Sequence, residues 1–145
     1  MIYVGIDPGA SGALAVINED SVVETYDFSV EGISGYTLIL SQLQNFTVGL
    51  ELVHSMPGQG VKSMFSFGQR YGELQGMLQA LGIGYELIRP KEWQKTCKVP
   101  PKSKKKGIHD AITIIYPQAE LKGPKGGIKD GRCDALGIAH HMRRS

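Results

Sequence analysis

The stretch MIYVGIDPGASGALAVINED, residues 1–20, decides how the chain begins to fold. Apolar side chains alternate from Ile2 to Ile6, which indicates a β-strand, and the Pro-Gly-Ala-Ser-Gly run that follows indicates a tight turn. The next apolar run, ALAVIN, predicts a second strand antiparallel to the first. Asp7 is the unusual residue, because its carboxylate ends an otherwise apolar strand.

The rest of the pattern predicts a mixed α/β fold. A third strand in SVVETYDF completes an antiparallel meander. The later predicted elements, in chain order, are a helix over 32–46, a strand TVGLELVH, a helix over 61–82, a strand over 83–90, a short helix KEWQKT, a loop over 98–107, a helix over 108–117 and a closing helix over 133–142. We therefore expect one domain over 1–145, with a mixed five-stranded sheet made of a three-strand antiparallel meander plus two parallel strands, and helices on both faces.

The long helix over 61–82 carries two distinct lines of residues. One is apolar and runs through Met64, Phe67, Tyr71, Leu74, Leu78 and Leu81. The other consists of Gly68, Gly72 and Gly76, and each interior glycine costs about 1 kcal/mol relative to alanine. Such a stripe predicts that another backbone comes close. We expect the chain's own sheet to be that neighbour, and a second copy of this helix is the alternative.

Composition places the chain among soluble proteins. It has 145 residues, 41% of them hydrophobic, and no apolar run of the length that a membrane span needs. Its first residues do not resemble a signal peptide, so we expect a cytoplasmic protein, or one in the host cytoplasm if a phage encodes it. Cys97 and Cys133 have no CxxC spacing, which predicts reduced thiols and argues against a zinc site.

Charge is distributed unevenly along the chain. Residues 1–88 contain two basic and nine acidic residues, whereas residues 89–145 contain fourteen basic and five acidic ones. A basic half of this size suits a polyanionic partner such as nucleic acid, and an ordinary solvated surface is the alternative explanation.

Four carboxylates are predicted to meet at one edge of the sheet. If the first and fourth strands are neighbours, alternation puts Asp7 and Glu51 side by side. The closing helix adds Asp134, with Asp130 one turn upstream on the same face. Carboxylates this close repel one another unless a cation lies between them, and Mg²⁺ is held by carboxylate, water and phosphate oxygens. The pattern therefore predicts a divalent-cation site.

Each acid also has an ordinary structural explanation. Asp7 before Pro-Gly suits a turn, Asp134 suits the first turn of a helix, and Asp130 suits a helix N-cap. Glu51 is harder to explain in this way, because an unpaired glutamate inside an apolar strand is rare. Their joint placement, more than any one of them, favours a site.

Three stretches together resemble the motifs of RuvC-type Holliday junction resolvases, particularly the compact phage-encoded members, within the RNase H-like nuclease superfamily. They are GIDPGASGALAV, LELVHSMPGQGVKSMFSFGQRYGELQGML and KDGRCDALGIAHH. They occur in the family's order and cover most of the chain. The resemblance implies an RNase H-like fold and a metal-dependent endonuclease that cuts four-way junctions by paired phosphodiester hydrolysis, with other branched DNA as a further candidate substrate.

The resemblance also implies the site residues. Asp7, Glu51, Asp130 and Asp134 are expected as catalytic residues and metal ligands, for two Mg²⁺ ions that Mn²⁺ can replace. Better-known bacterial members space the last two acids at i and i+3, whereas position 131 here is Gly and the upstream acid is Asp130, at i−4 from Asp134. His54 stands where the family often has an aromatic residue that acts at the strand crossover, and a structural role is its alternative.

The expected DNA contacts are basic residues and one loop. The loop SMPGQG is predicted to probe the centre of the junction. The expected DNA-binding residues are Lys102, Lys104, Lys105, Lys106, Lys122, Lys125, Lys129, Gln59 and His54. The sequence leaves open which lysine, if any, is catalytic.

Two symmetric cuts imply a homodimer, with the long helix as its interface, although the pattern alone also permits a monomer. No membrane and no nucleotide cofactor is expected. Two other functions compete. One is a binding module of the same fold that grips branched nucleic acid without cutting it. The other is an actin-like kinase, whose phosphate-binding hairpin looks similar, but 145 residues cannot supply the second domain that such kinases need.

Overall fold

The computed structural model describes residues 1–53, 58 and 60–145. Its sheet has five strands in the order β3-β2-β1-β4-β5. β1, β2 and β3 pair antiparallel, while β4 runs parallel to both β1 and β5. This is the mixed sheet that the sequence predicted. The strands are β1 Ile2–Asp7, β2 Ala13–Ile17, β3 Val23–Asp27, β4 Phe46–Glu51 and β5 Tyr85–Ile88.

Helices cover both faces of the sheet, as expected. They are α1 Phe28–Ser41, α2 Val61–Ala80, α3 Pro90–Thr96, α4 Lys105–Ile115 and α5 Asp130–Arg144. Alternate strand residues such as Val4 and Leu50 form one hydrophobic core with Tyr36 of α1 and Leu78 of α2. The opposite face forms a second core with side chains of α3, α4 and α5.

Glycine lets α5 lie directly against the two central strands. A Cβ on Gly5 of β1 would stand 2.1 Å from the carbonyl oxygen of Ala135. On β4, a Cβ on Gly49 would stand 2.9 Å from side-chain carbons of both Ile138 and Met142. These glycines are paired in the sheet register, so α5 crosses both strands at the same level. The site described below is built just beyond this crossing.

The expectation that the sheet packs against the glycine stripe of α2 was wrong. No described atom lies within 4 Å of a Cβ built on Gly68, Gly72 or Gly76. α2 covers the sheet instead with its other side, through Leu74, Met77 and Leu78. The stripe faces away from the described chain because these three large apolar residues already fill the space over the sheet.

Several helix boundaries differ from those predicted. α1 begins four residues earlier than expected, since a first turn from Phe28 is interrupted at Gly32, where φ is 63°. α4 starts at Lys105 instead of 108, because the run of lysines enters the first turn, where Lys106 pairs with Asp110. α5 starts at Asp130 instead of 133, so both of its acids are helical.

Cys97 and Cys133 are free and buried, as predicted for reduced thiols. Burial raises the pKa of each thiol to about 12. Within the described part of the chain, no helix combines the length and the apolar character needed to cross a bilayer.

Candidate active site

Two acids lie at the adjacent ends of parallel strands. Ile6 of β1 pairs with Leu50 of β4, and the next residues, Asp7 and Glu51, end their strands. Each acid follows a glycine by two positions and therefore shares that glycine's face of the sheet, the face that α5 covers. The sequence carries this signal twice, as Gly-Ile-Asp and Gly-Leu-Glu.

Asp7 is held by the turn that follows it. The backbone N–H of Gly9 donates to Asp7 Oδ1 over 3.0 Å. Gly12 closes the turn, and a Cβ there would stand 2.1 Å from the Asp7 carbonyl oxygen. Burial raises the pKa of Asp7 to about 7, against the effect of the Gly9 bond, and the negative charges of Glu51 and Asp130 add to the rise.

Glu51 is the one charged side chain classed as buried among the described residues, with 8% of its surface exposed. The indole N–H of Trp93 donates to its Oε2 over 2.8 Å. Burial raises the pKa of Glu51, and the bond from Trp93 opposes the rise. The hydroxyl of Tyr71 donates to the backbone oxygen of Glu51 over 3.1 Å and so ties α2 to the end of β4.

The first turns of α5 bring the other two acids to the same place. The pKa of Asp134 is raised to about 9, mainly by burial and further by the charges of Asp7, Glu51 and Asp130, while Lys105 opposes the rise. These charge effects link acids from β1, β4 and α5 in one electrostatic cluster. We call Asp7, Glu51, Asp130 and Asp134 the acid cluster.

The structure explains why the upstream acid is at 130 and not at 131. A Cβ on Gly131 would stand 1.8 Å from the carbonyl oxygen of Ser11, in the turn after β1. Position 131 therefore admits only glycine while α5 lies against this turn. Asp130 instead occupies the first residue of the helix.

The donor chemistry of the acid cluster fits a hard divalent cation. Carboxylate oxygens are the ligands that Mg²⁺ takes in proteins, and a cation would offset the burial and the mutual repulsion that raise the pKa values of Asp7 and Asp134. Within residues 1–53, 58 and 60–145, no three histidine, cysteine or acidic side chains are already drawn together as a ligand set. The cluster is thus an open arrangement, and its roles in metal binding and catalysis stay predictions.

One lysine of the basic run lies beside the acid cluster. Lys105 Nζ is 3.8 Å from Asp130 Oδ2, with 74% of the lysine side chain exposed. Lys106 instead bonds to Asp110 over 2.8 Å on its own helix. Lys102 and Lys104 are exposed in the approach to α4, where Lys104 is the N-cap.

The second group of predicted DNA-binding lysines surrounds a groove next to Asp130. Lys122 pairs with Ile128 in a short antiparallel bridge, and Lys129 is the N-cap of α5. The groove holds about 550 Å³. It is lined by Ser11 and Gly12 of the first turn, Asp27 and Ser29, and the loop residues that include Lys125 and Lys129. Two other cavities, of about 640 and 620 Å³, lie around His140 near the far end of α5 and contain none of the four acids.

Two predicted DNA contacts, His54 and Gln59, lie outside the described residues. Sequence reasoning also missed two supporting interactions. One is the bond from Trp93 to Glu51, whose signal is the lone tryptophan in a short polar helix. The other joins Arg132 to both carboxylate oxygens of Asp27, at 2.8 and 2.9 Å, and so ties the start of α5 to the end of β3. No local sequence pattern predicts the ion pair of Arg132 and Asp27, which are 105 residues apart.

Comparison with solved structures places the fold. A structure of T. thermophilus RuvC in complex with a Holliday junction substrate matches with a TM-score of 0.69 and 16% identity, over 97% of this chain and 92% of that chain. A second Thermus thermophilus RuvC structure matches with a TM-score of 0.64, at the same identity and coverage. No protein-family model matches the chain, and no curated protein sequence does. The chain therefore has the RuvC fold, the RNase H-like arrangement that its three motifs predicted.

Proposed function

We propose that the chain is a metal-dependent, structure-selective endonuclease that resolves four-way DNA junctions, and other branched DNA, by paired phosphodiester hydrolysis. The observation that carries the proposal is the acid cluster. Asp7, Glu51 and the α5 pair Asp130 and Asp134 come from three separate parts of the sequence, yet their charges help to raise the pKa values of Asp7 and Asp134 at one end of the sheet. Burial of several acids beside one another is a cost to the fold, and a cation-dependent site explains why the chain bears this cost.

The acids are assigned as ligands of two Mg²⁺ ions, which Mn²⁺ can replace. Bound there, the ions would lower the pKa of a water and act as Lewis acids on the phosphodiester. Asp7 ends β1, the strand that pairs with β4 and lies against α5, and this central place supports its assignment as the shared ligand. Glu51 lies on one side of it on β4, and Asp134 and Asp130 lie on α5.

Lys105 is our choice for the lysine that acts at the reacting phosphate. It is the member of the basic run with an acid-cluster neighbour, at 3.8 Å from Asp130, and its side chain remains exposed to a ligand. A flexible ammonium group in this place can bind a phosphate oxygen and offset negative charge in the transition state. Lys106 is less suited, because Asp110 already neutralises it.

The groove beside Asp130 is assigned to the DNA backbone. Lys122, Lys125 and Lys129 lie in or next to its loop, and lysine contacts to phosphates carry little sequence information. Recognition should therefore rest mainly on the branched shape of the substrate. One structural neighbour is a RuvC bound to a Holliday junction substrate, and its fold likeness supports this class of ligand for the present chain. A DNA substrate of this kind fits the expected cytoplasmic location.

A homodimer through α2 completes the proposal. Two symmetric cuts need two active sites related by a two-fold axis. The outer side of α2 exposes 86% of Val61 and 73% of Phe65, and the open glycine stripe continues along the same helix. Exposed apolar side chains next to a line of glycines suit close packing of a second copy of α2.

The proposal is tested with a synthetic four-way junction labelled on each strand. The expected result is paired, symmetric nicks in the presence of Mg²⁺ or Mn²⁺, and none in EDTA. Asp7→Asn should abolish cutting while it still binds the junction. Asp20→Asn is the matched control, since Asp20 is exposed in the turn between β2 and β3 and should leave activity unchanged. Binding by the wild-type protein without any cutting would favour the non-cleaving module instead.

A further inference from the structure

Trp93 donates its indole N–H to Glu51 Oε2 in a contact that is buried from solvent. It is 1% exposed, although its helix, α3, is otherwise composed of polar residues and one proline. The bond joins residues 42 positions apart, at 2.8 Å. α3 therefore extends one large side chain beneath the edge of the sheet to a member of the acid cluster.

The position of the indole is fixed by the backbone around it. A Cβ on Gly137 of α5 would stand 2.5 Å from Trp93 Cε3, so the ring fills the space that a side chain there would need. The N-terminus of α3 is also capped, because Arg89 donates its backbone N–H to the Glu92 carboxylate over 2.9 Å and Pro90 begins the helix. The N–H group thus reaches Glu51 from a rigid support.

The contact with Trp93 gives the two carboxylate oxygens of Glu51 different roles. An indole N–H donates and cannot accept, so it occupies Oε2 and leaves Oε1 available to another partner. The charge of Glu51 acts on both Asp7 and Asp134, which places its carboxylate beside the rest of the acid cluster. Outer partners of this kind orient metal ligands and strengthen cation binding.

We propose that Trp93 is a positioning residue of the cation site: its indole N–H fixes the Glu51 carboxylate so that the second oxygen is presented to the ion. This inference rests on the proposed function, since it assigns a cation to the acid cluster. If Trp93 only fills the core, replacing it with phenylalanine should leave cation binding unchanged. If Trp93 positions Glu51, the same replacement should weaken cation binding.

Trp93 also supplies its own spectroscopic signal, because it is the chain's one tryptophan. When a cation binds Glu51, the charge on the acceptor of the indole N–H changes. Titration of the wild-type protein with Mg²⁺ or Ca²⁺ should therefore change the indole emission in a saturable way. Glu51→Gln should abolish the change. An emission that stays constant while calorimetry records cation binding would overturn the proposal, and this measurement needs no substitution at Trp93.

The second measurement uses Trp93→Phe, which keeps an aromatic ring and removes the N–H group. Calorimetry should record cation affinity weaker by about tenfold or more. Junction cutting should need correspondingly more Mg²⁺ for half-maximal rate and recover at high Mg²⁺. Junction binding without a divalent cation should stay at the wild-type level.

Tyr116→Phe is the matched control. Tyr116 is a buried aromatic residue of the same core, and its hydroxyl bonds to His140 Nδ1 over 2.7 Å and not to a member of the acid cluster. Removal of this bond should leave cation affinity unchanged. Equal cation affinity in Trp93→Phe and the wild type would overturn the positioning role but leave the nuclease proposal standing. A wild-type protein that neither binds divalent cations nor cuts junctions would end both.

Discussion

Gly5 of β1 and Ala135 of α5 touch backbone to backbone, since a Cβ on Gly5 would stand 2.1 Å from the Ala135 carbonyl oxygen. This contact seats the helix that carries Asp130 and Asp134 against the strand that ends at Asp7. Gly5→Ala must push the two elements apart. We predict that the free energy of unfolding falls by about 1–3 kcal/mol or more and that junction cutting is lost.

Urea denaturation followed by circular dichroism measures the first effect, and the junction assay measures the second. Gly84→Ala is the control, because no described atom lies within 4 Å of a Cβ at that exposed position. It should leave both stability and activity near the wild-type values. Wild-type stability in Gly5→Ala would contradict the contact.

We predict that the acid cluster makes the stability of the cation-free protein fall as pH rises. The folded chain holds the protons of Asp7 and Asp134 up to pKa values of about 7 and about 9, whereas their ordinary value is 3.8. Between those values the unfolded state binds fewer protons than the folded state, so its free energy drops relative to the folded state as pH increases. Below the ordinary value both states are protonated and the effect disappears.

In EDTA, we expect the urea midpoint to decrease steadily from about pH 5 to about pH 8. Asp134→Asn should flatten this slope and be more stable than the wild type at the upper end. Mg²⁺ should restore stability there, because a cation offsets the repulsion. A midpoint that rises over this range in EDTA would show that the acids are not buried together.

Lys105 should matter more for cutting than its neighbour in sequence. Lys105→Met removes the ammonium group that lies 3.8 Å from Asp130, and we expect the single-turnover rate at saturating junction to fall by about tenfold or more. Lys106→Met removes a charge already paired with Asp110 and should change this rate by less than about threefold. The reverse order of the two effects would remove Lys105 from the site.

The glycine stripe of α2 should carry the dimer contact. Gly72→Glu places a charged side chain where no described atom lies within 4 Å, so it should not destabilise the monomer. In sedimentation experiments it should shift the protein from dimer towards monomer. Gln118→Glu, at another exposed position, should leave the distribution unchanged. A wild-type protein that sediments as a monomer under all conditions would exclude this interface.

Sequence periodicity was sufficient for the fold of the sheet. Alternation in β1 and β4 predicted that Asp7 and Glu51 share a face of the sheet, and the structure has the corresponding register. Sequence periodicity was not sufficient to predict that the glycine stripe of α2 faces away from the sheet. Periodicity identifies the sides of a helix, but which side packs inward depends on volumes that only the assembled layers define.

Long-range polar contacts were also beyond the sequence. A lone tryptophan in the short polar helix α3 indicates that this side chain is buried, but nothing local indicates that its N–H reaches Glu51. In the sequence, Gly131 is a departure from the family's motif. The steric reason for this glycine is the carbonyl of Ser11, which lies more than a hundred residues away in the chain and is not visible in the local sequence. Contacts of this kind follow from tertiary packing and leave no periodic trace.

The order of the elements has a consequence during synthesis. When the ribosome has made β1 to β5, the chain already contains Asp7 and Glu51, but α5 with Asp130 and Asp134 has yet to emerge. The same helix also forms much of the core on its face of the sheet. A nascent chain therefore has neither a finished interior nor a finished set of acids, and any capacity to cut DNA would arise late and together with the completed fold.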